Sequence, residues 1–482
     1  MIVMKFGGSS VAGPDRILHV ADIIQSQLSR QPLIVLSAMG DTTDHLLDAG
    51  EAAYRNGIVS IARVEKLHLD TIKKIKLPAQ ALKEIKALLD ELKNLLSGIA
   101  LIRELSPRTK DYLVSFGERL SVRIAAACFK SLGINAKAMD AWDAGFISDS
   151  NFTGAELLKE SWEAIPGKLL PLVKTGTVPV VTGFLARDAN GNITTLGRGG
   201  SDLTATMIAA SCRADEAQVW KDVDGILTAD PRIVKNAKPV EIATYDEAAE
   251  LAYFGAQVLH PRAMQPCMKS GTPVLVKNSY NPQAAGSRIV SSHAAEKTGN
   301  RASVTALPKN STIRAITGKR NVTLVDIVSS RMLGQYGFLS EVFSIFARHN
   351  ISVDMVATSE VSVSLTLDAA HNLALVKKDL DRIANVEIKT GKAIITIIGN
   401  VKRSSEILAR SFRICELIGV TVQMVSQGAS KVNISFIVDD NEAEEVIRSL
   451  HLDFFESLNS GISPPGADKK PASAKNSARK AK

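Results

Sequence analysis

Over the first 290 residues, short and wholly apolar runs alternate with amphipathic stretches. That alternation predicts a buried, mostly parallel sheet with helices on its faces. Ile2-Val3-Met4, Pro32 to Leu36, Val178 to Thr182, Gln218-Val219-Trp220 and Val274 to Asn278 have strand length. After the Pro14-Asp15 pair, Ile17, Val20, Ile23, Ile24 and Leu28 recur at helical spacing, with proline where a helix tolerates it. Residues 51–110 are helical in pattern and interrupted at Pro78. Leu82, Ile85, Leu88, Leu89, Leu92, Leu95, Leu96 and Ile99 make one apolar stripe, while Lys83, Glu84, Lys86, Asp90 and Lys93 fall on other faces. This reads as a helical insertion packed on the body of a domain, because the stripe is too short and irregular to favour a coiled coil with a partner.

Past a Ser/His/Thr/Gly/Asn-rich linker at 291–305 the texture changes. Thr323 to Val328 is a strand, Phe338 to His349 a helix, Ile351 to Val356 a strand, and Val361 to Leu367 alternates at period two. The pattern returns with strand Ile394 to Ile398, helix Ser405 to Leu417, strand Val420 to Val425 and strand Val432 to Val438, and Val353-Asp-Met-Val aligns with Val422-Gln-Met-Val. An internal repeat of βαββαβ units predicts two small ferredoxin-like modules, 306–385 and 386–458, followed by a disordered basic tail at 459–482. Neither copy carries a catalytic constellation, so both read as effector-binding or dimerising units.

The chain has 482 residues, 45% hydrophobic and 22% charged, as expected of a soluble protein of about three domains. No run approaches the roughly 18 apolar residues of a membrane span, and the first residues read as a strand, not a targeting peptide. Cys128, Cys212, Cys267 and Cys415 are scattered, which argues against zinc or a disulfide framework and fits the cytoplasm. Of the net charge of +8, +5 sits in the last fifteen residues. Basicity is therefore largely a property of the tail, and a nucleic-acid partner is not expected.

Candidate chemistry centres on Gly197-Arg198-Gly199-Gly200-Ser201-Asp202. Adjacent glycines let backbone N–H groups approach an anion, Arg198 offers a fork for carboxylate or phosphate, and Ser201 and Asp202 stand where a helix begins. Taken alone it reads more readily as an ordinary strand-to-helix turn, since short Gly-rich turns are common. Lys5-Phe6-Gly7-Gly8-Ser9-Ser10 is a second strand, Gly-Gly turn and helix, with Lys5 placed to neutralise phosphate. No P-loop and no protein-kinase HRD or DFG set accompanies it. Ser37 to Thr43 places hydroxyls at a strand's C-terminal end, where open α/β sheets bind ligands; helix capping by Asp41, Thr42 or Thr43 is the alternative. In Ser115-Phe116-Gly117-Glu118, Glu118 early in a helix either complements the helix dipole or takes a ligand ammonium. Trp220-Lys221-Asp222-Val223-Asp224-Gly225 and Thr228 to Arg232 form a polar loop suited to a nucleotide. His260 has no histidine or cysteine at metal spacing and reads as structural, and no resident metal site is expected.

In that order, and followed by Phe254-Gly-Ala-Gln-Val-Leu-His-Pro261 and the tandem repeat, these motifs closely resemble the aspartate kinases of the amino-acid kinase superfamily, over roughly residues 1–450. The resemblance implies a kinase domain at 1–290 carrying the 51–110 insertion and two C-terminal ACT modules, without the fused dehydrogenase of bifunctional relatives. It implies transfer of a phosphoryl group from ATP, with Mg²⁺, to the β-carboxylate of L-aspartate. Lys5, Gly7, Gly8 and Ser9 would meet the ATP phosphates, and Ser37, Thr43, Glu118, Arg198 and Ser201 would hold the amino acid. Asp202 would organise the catalytic centre with Lys5, and Lys221, Asp222, Leu227, Arg232 and Gln257 would line the nucleotide. Leu227 and Gln257 stand where some bacterial relatives have Tyr and Lys. The resemblance further implies feedback by lysine at Met332, Phe338, Leu339, Asp354, Ser359 and Glu360, and a homodimer or dimer of dimers through the ACT modules. The sequence leaves two competitors: a kinase acting on glutamate or N-acetylglutamate, and a non-catalytic amino-acid sensor.

Overall fold

The structure is a computed structural model that describes residues 1–254, 259–292, 313–329, 336–368, 372–428 and 432–456. Gln257, Met332, most of the expected linker and the expected basic tail lie outside the described residues.

The N-terminal part is built on an eight-stranded sheet whose four inner neighbours are Val178–Thr182, Pro32–Leu36, Ile2–Phe6 and Glu216–Lys221, all parallel. Ala136–Met139 and Val274–Asn278 extend it in parallel on either side, and only Ser287–Val290 pairs antiparallel to its neighbour. Ile2–Phe6, Pro32–Leu36 and Val178–Thr182 are fully buried, and Glu216–Lys221 is buried up to Trp220, as a parallel sheet covered on both faces requires. Period-two alternation sorts the side chains. Ile2, Met4 and Phe6 pack with helices Pro14–Gln25 and Pro107–Ser131, whereas Val3 belongs to the cluster of helices Ser161–Lys174 and Gly200–Ser211. Lys5 shares the parity of Val3 and so is directed to the face that carries Asp202.

Helices Thr42–Asn56, Ala62–Ile75 and Ala79–Ile102 cover one side of this body. Ile85, Leu88, Leu89, Leu92, Leu96 and Ile99 are buried in the same cluster as Met4 and Phe6. The next helix departs from expectation. It begins at Pro107, capped by Ser106, whose Oγ accepts from Thr109 N–H, and runs unbroken to Ser131. Glu118 therefore lies in the middle of a helix, not in its first turn. Gly117 does not break that helix; it thins it, since a Cβ there would sit 2.7 Å from the Ala38 Cβ.

The C-terminal repeat forms a single six-stranded antiparallel sheet, in the order Val353–Thr358, Ser362–Leu367, Ile313–Val328, Asn385–Gly399, Asn433–Asp439, Met424–Ser426. The two long central strands run through both modules. Thr323 to Val328 pairs with Ser362 to Leu367, while Ile313 to Lys319 pairs with Ile394 to Gly399. Helices Phe338–Arg348 and Leu373–Leu380 cover one half, and Ser404–Leu417 and Ala443–His451 the other. The strand expected from Val420 is shorter than its pattern implied: only Met424–Ser426 pairs. No helix among the described residues is long and apolar enough to cross a membrane.

Candidate active site

Four inner strands end at one edge, and their C-terminal turns meet there, as ligand sites of open parallel sheets do. The Gly8 carbonyl accepts from Gly40 N–H at 3.1 Å, and Ser37 N–H donates to Phe6 O at 3.2 Å. A Cβ on Gly8 would stand 3.0 Å from the Ala38 carbonyl oxygen and 3.1 Å from that of Gly40, so a side chain there would require these two turns to give by a few tenths of an ångström. Beyond them, Ser10 Oγ meets Ser279 Oγ at 2.8 Å, and Tyr280 O–H donates to the carbonyl of the exposed Ser9. Arg16 donates to Ser279 and stacks on Tyr280, which fixes the Gly-Gly turn from its outer side.

Lys5 Nζ lies 2.6 Å from Asp202 Oδ1, and each side chain is about nine-tenths buried. Asp202 occupies the first turn of Gly200–Ser211, where the helix dipole favours a carboxylate. Burial would raise its pKa, but the charges of Lys5 and Lys221 outweigh burial and hold it below the ordinary value. Lys221 is lowered by burial, then partly restored by Asp202 and lowered again by Lys5. Lys5 and Lys221 thus both act on Asp202 at the sheet edge, and Asp222 also raises Lys221.

Glu118 is strongly perturbed. Its side chain is buried, Oε1 accepts from Ala38 N–H at 3.2 Å, and the buried Oε2 has no hydrogen-bond partner among the described residues. Burial pushes its pKa up to about 8, against the Ala38 hydrogen bond and the charge of Lys5. A buried carboxylate oxygen left without a donor is costly, and a ligand ammonium would relieve it.

The Arg198 turn is held from three sides. Gly197 and Gly199 have φ of +70° and +74°, and a Cβ on Gly199 would meet the His260 Cβ at 2.7 Å. Arg262 donates to the Leu196 and Ala155 carbonyls. The buried Asp111 accepts from Thr153 N–H, Thr195 N–H and the Thr195 hydroxyl, and burial still raises its pKa. Arg198 itself is exposed. His260 caps helix Pro261–Ser270 by accepting from Arg262 N–H; burial lowers its pKa, followed by the charges of Arg198 and Arg262, with Asp202 opposing. Ser201 packs on Gly183, where a Cβ would come within 2.6 Å of its side chain. Sequence reasoning passed over Asp111 and Arg262, which touch backbone and belong to no motif.

Among the remaining sequence candidates, Ser37 and Thr43 bracket the turn that lies on Gly117, and the capping bond considered for Asp41 does not form. Asp222 is exposed, Leu227 is half-buried, and Arg232 makes a two-pronged pair with Asp230 at 2.6–3.1 Å. The effector candidates are more dispersed. Phe338 starts a helix and is buried, Leu339 and Glu360 are exposed, and Ser359 bonds Ser362 across a turn. Asp354 is already engaged. Its carboxylate accepts from Tyr253 O–H at 2.7 Å and pairs with Lys319 at 2.7 Å, and its side chain is 3% exposed.

Comparison with known proteins identifies the family. Residues 1–278 match the amino acid kinase family, and 325–374 and 395–454 match the ACT domain. Aspartokinase 1, chloroplastic, of Arabidopsis thaliana is 50% identical over 94% of this chain and 80% of its own length. The structure of E. coli aspartokinase III in complex with aspartate and ADP (R-state) superposes with a TM-score of 0.77 at 33% identity, covering 94% of this chain and 99% of that one. The same enzyme with lysine and aspartate (T-state) gives 0.76 at 33% identity, covering 95% and 100%. The chain belongs to the amino acid kinase family and, within it, to the aspartokinases. It is a kinase, with an α/β catalytic domain and a pair of ACT modules.

Proposed function

We propose that this chain transfers the γ-phosphoryl group of magnesium-bound ATP to the β-carboxylate of L-aspartate, giving 4-phospho-L-aspartate and ADP, the entry reaction of lysine, threonine and methionine synthesis. The observation that carries the reading is the buried, unpartnered oxygen of Glu118 beside the Lys5–Asp202 pair. An α-ammonium satisfies that oxygen, and Arg198 can fork onto the α-carboxylate, which leaves the β-carboxylate free to face the phosphates. Ser37, Thr43 and Ser201 stand at the ends of the same turns.

The acceptor is already an oxygen nucleophile at neutral pH, so no general base is required. A β-carboxylate oxygen bonds to the γ-phosphorus as the bond from that phosphorus to the ADP oxygen breaks. What remains for the protein is alignment and charge neutralisation. Lys5, oriented by Asp202, meets the transferring phosphoryl, and the backbone of Gly7, Gly8 and Ser9 cradles the phosphates. Lys221, Asp222, Leu227 and Arg232 line the rest of the nucleotide. Magnesium arrives with the nucleotide as part of the substrate; no cluster of three or more His, Cys, Asp or Glu among the described residues is arranged to hold an ion.

The E. coli structures with aspartate, ADP and lysine support aspartate and nucleotide as substrates and lysine as the effector. Lysine is proposed to act at the ACT modules, through Asp354 and the Phe338 helix start, in a cytoplasmic homodimer or dimer of dimers joined by those modules. The test is ADP release with aspartate, glutamate and N-acetylglutamate as acceptors. The reading requires aspartate to be preferred by about 10²-fold or more in kcat/KM, as a site with buried polar anchors discriminates. Equal turnover of glutamate would point to a different amino-acid kinase, and no turnover of any acceptor to a sensor.

A further inference from the structure

The loop that leaves Lys221 does not stand alone. Ala229 and Val234 are buried in the core of the second ACT module, together with Ile313, Leu450 and Phe454. Thr228, fully buried, is the hinge of this contact. Its N–H donates to Lys238 O at 2.9 Å, its carbonyl accepts from Ile316 N–H of the long module strand at 2.8 Å, and its hydroxyl accepts from Lys238 N–H at 2.9 Å. That hydroxyl also lies 2.9 Å from Nε2 of His451, the last residue of helix Ala443–His451. On the other side of the ring, Nδ1 lies 3.1 Å from Glu456 Oε1. An ionised Glu456 can only accept, so Nδ1 carries the proton and Nε2 accepts from the Thr228 hydroxyl. Burial lowers the pKa of His451 and favours that neutral ring.

We infer that His451 is a positioning residue for the nucleotide: through Thr228 the second ACT module fixes the loop that carries Asp222, Leu227 and Arg232. In the chain Lys238 N–H, Thr228 O–H, His451, Glu456 each donor meets one acceptor and the three hydrogen bonds run in one direction. Its neighbourhood is less filled. A cavity of about 310 Å³ lies between Leu227 and Arg232 on the loop side and Ile316, Gly318 and Ile447 on the module side. The outer part of the loop therefore has room to shift, while Thr228 ties its base to the module. Any change in the module that moves His451 moves the loop with it, so ATP binding, more than aspartate binding, senses the ACT pair.

This inference rests on the proposed nucleotide role of the loop, and the experiment separates the two. Steady-state kinetics are measured for wild type, Thr228→Val, His451→Leu and His451→Gln. Thr228→Val keeps the shape and removes the hydroxyl, and the expected result is a rise in KM for ATP of about tenfold, within the range of couplings carried by buried contacts. KM for aspartate should stay within about twofold, a split that a general loss of structure would not produce. His451→Leu should match Thr228→Val, the double variant should be no worse than either, and His451→Gln, which can still accept from Thr228, should recover most of the loss. Because Thr228→Val can fail to fold, hydrogen exchange of the wild-type protein provides the second arm. A non-hydrolysable ATP analogue should slow exchange at 224–238 and also at 445–456. Slowing at 224–238 alone, or additive effects of the two substitutions, overturns the inference and leaves the reaction standing. No slowing at 224–238 overturns the nucleotide reading itself.

Discussion

Replacing Glu118 by glutamine keeps the side-chain shape and removes the charge, and the burial of that side chain sets the size of the result. Its pKa is pushed from 4.5 to about 8 by burial. In the ligand-free protein the folded value is thus above the unfolded one. Stability from this group is full below pH 4.5 and drains away as pH rises toward 8; at pH 7 the loss is on the order of 3 kcal/mol. Glutamine escapes that loss, so Glu118→Gln should be more stable than wild type at pH 7 by roughly 1–3 kcal/mol, a few degrees in Tm. Function should move the opposite way. A bound ammonium requires the ionised carboxylate, so aspartate binding releases a proton. With a pKa of about 8, roughly a tenth of the sites are ionised at pH 7 and three quarters at pH 8.5, so KM for aspartate should fall about eightfold across that interval. Glu118→Gln should bind aspartate more weakly and show no such slope, while KM for ATP changes little. The assay is initial-rate kinetics against aspartate from pH 6.5 to 8.5, with thermal unfolding of the ligand-free proteins at the same pH values. A flat wild-type profile, or an equal slope in the variant, would refute the assignment of Glu118 to the ammonium.

Arg198→Ala should lower kcat/KM for aspartate by about 10²-fold, because a misaligned β-carboxylate loses the in-line geometry; wild-type kinetics would mean the amino acid sits elsewhere. Lys5→Met should depress kcat by roughly 10²–10³-fold, the range for deleting one transition-state donor, with the fold retained by circular dichroism; full activity would assign the charge to Lys221 alone. Millimolar lysine should inhibit wild type, and Glu360→Ala should respond less, with a coupling of about 1–3 kcal/mol; indifference to lysine would remove the ACT modules from feedback. Because Tyr253 and Lys319 already hold Asp354, Tyr253→Phe should free that carboxylate and lower the half-inhibitory lysine concentration about two- to fivefold, for one hydrogen bond of ordinary strength. An unchanged value would show that Asp354 does not meet the effector.

What was legible in the sequence was what local rules encode. The parallel strands, the insertion stripe from Ile85 to Ile99 and the Gly200 helix start follow from periodicity and turn chemistry, and the structure has them. Glu118 was identified by its motif but placed wrongly in its helix, because Gly117 reads locally as a breaker. Its actual role is to admit Ala38, a contact between residues about eighty positions apart that no local window contains. The Ser106-Pro107 cap and first turn were the available signal. The passage of Ile313–Val328 through both modules was hidden because the repeat was read as two consecutive units, and strand pairing across seventy residues leaves no periodicity of its own. Asp111 and Arg262 act on backbone groups, and Thr228 meets the ring of His451, all brought close only by the fold.

The most direct test of the central claim is identification of the product. The protein is incubated with magnesium, ATP and L-aspartate in the presence of hydroxylamine, which converts an acyl phosphate to a stable hydroxamate. The account predicts the β-hydroxamate of aspartate in amounts equal to the ADP formed, and none from N-acetyl-L-aspartate, whose blocked amine cannot satisfy Glu118. ADP without hydroxamate, or equal hydroxamate from the amine-blocked substrate, would contradict it.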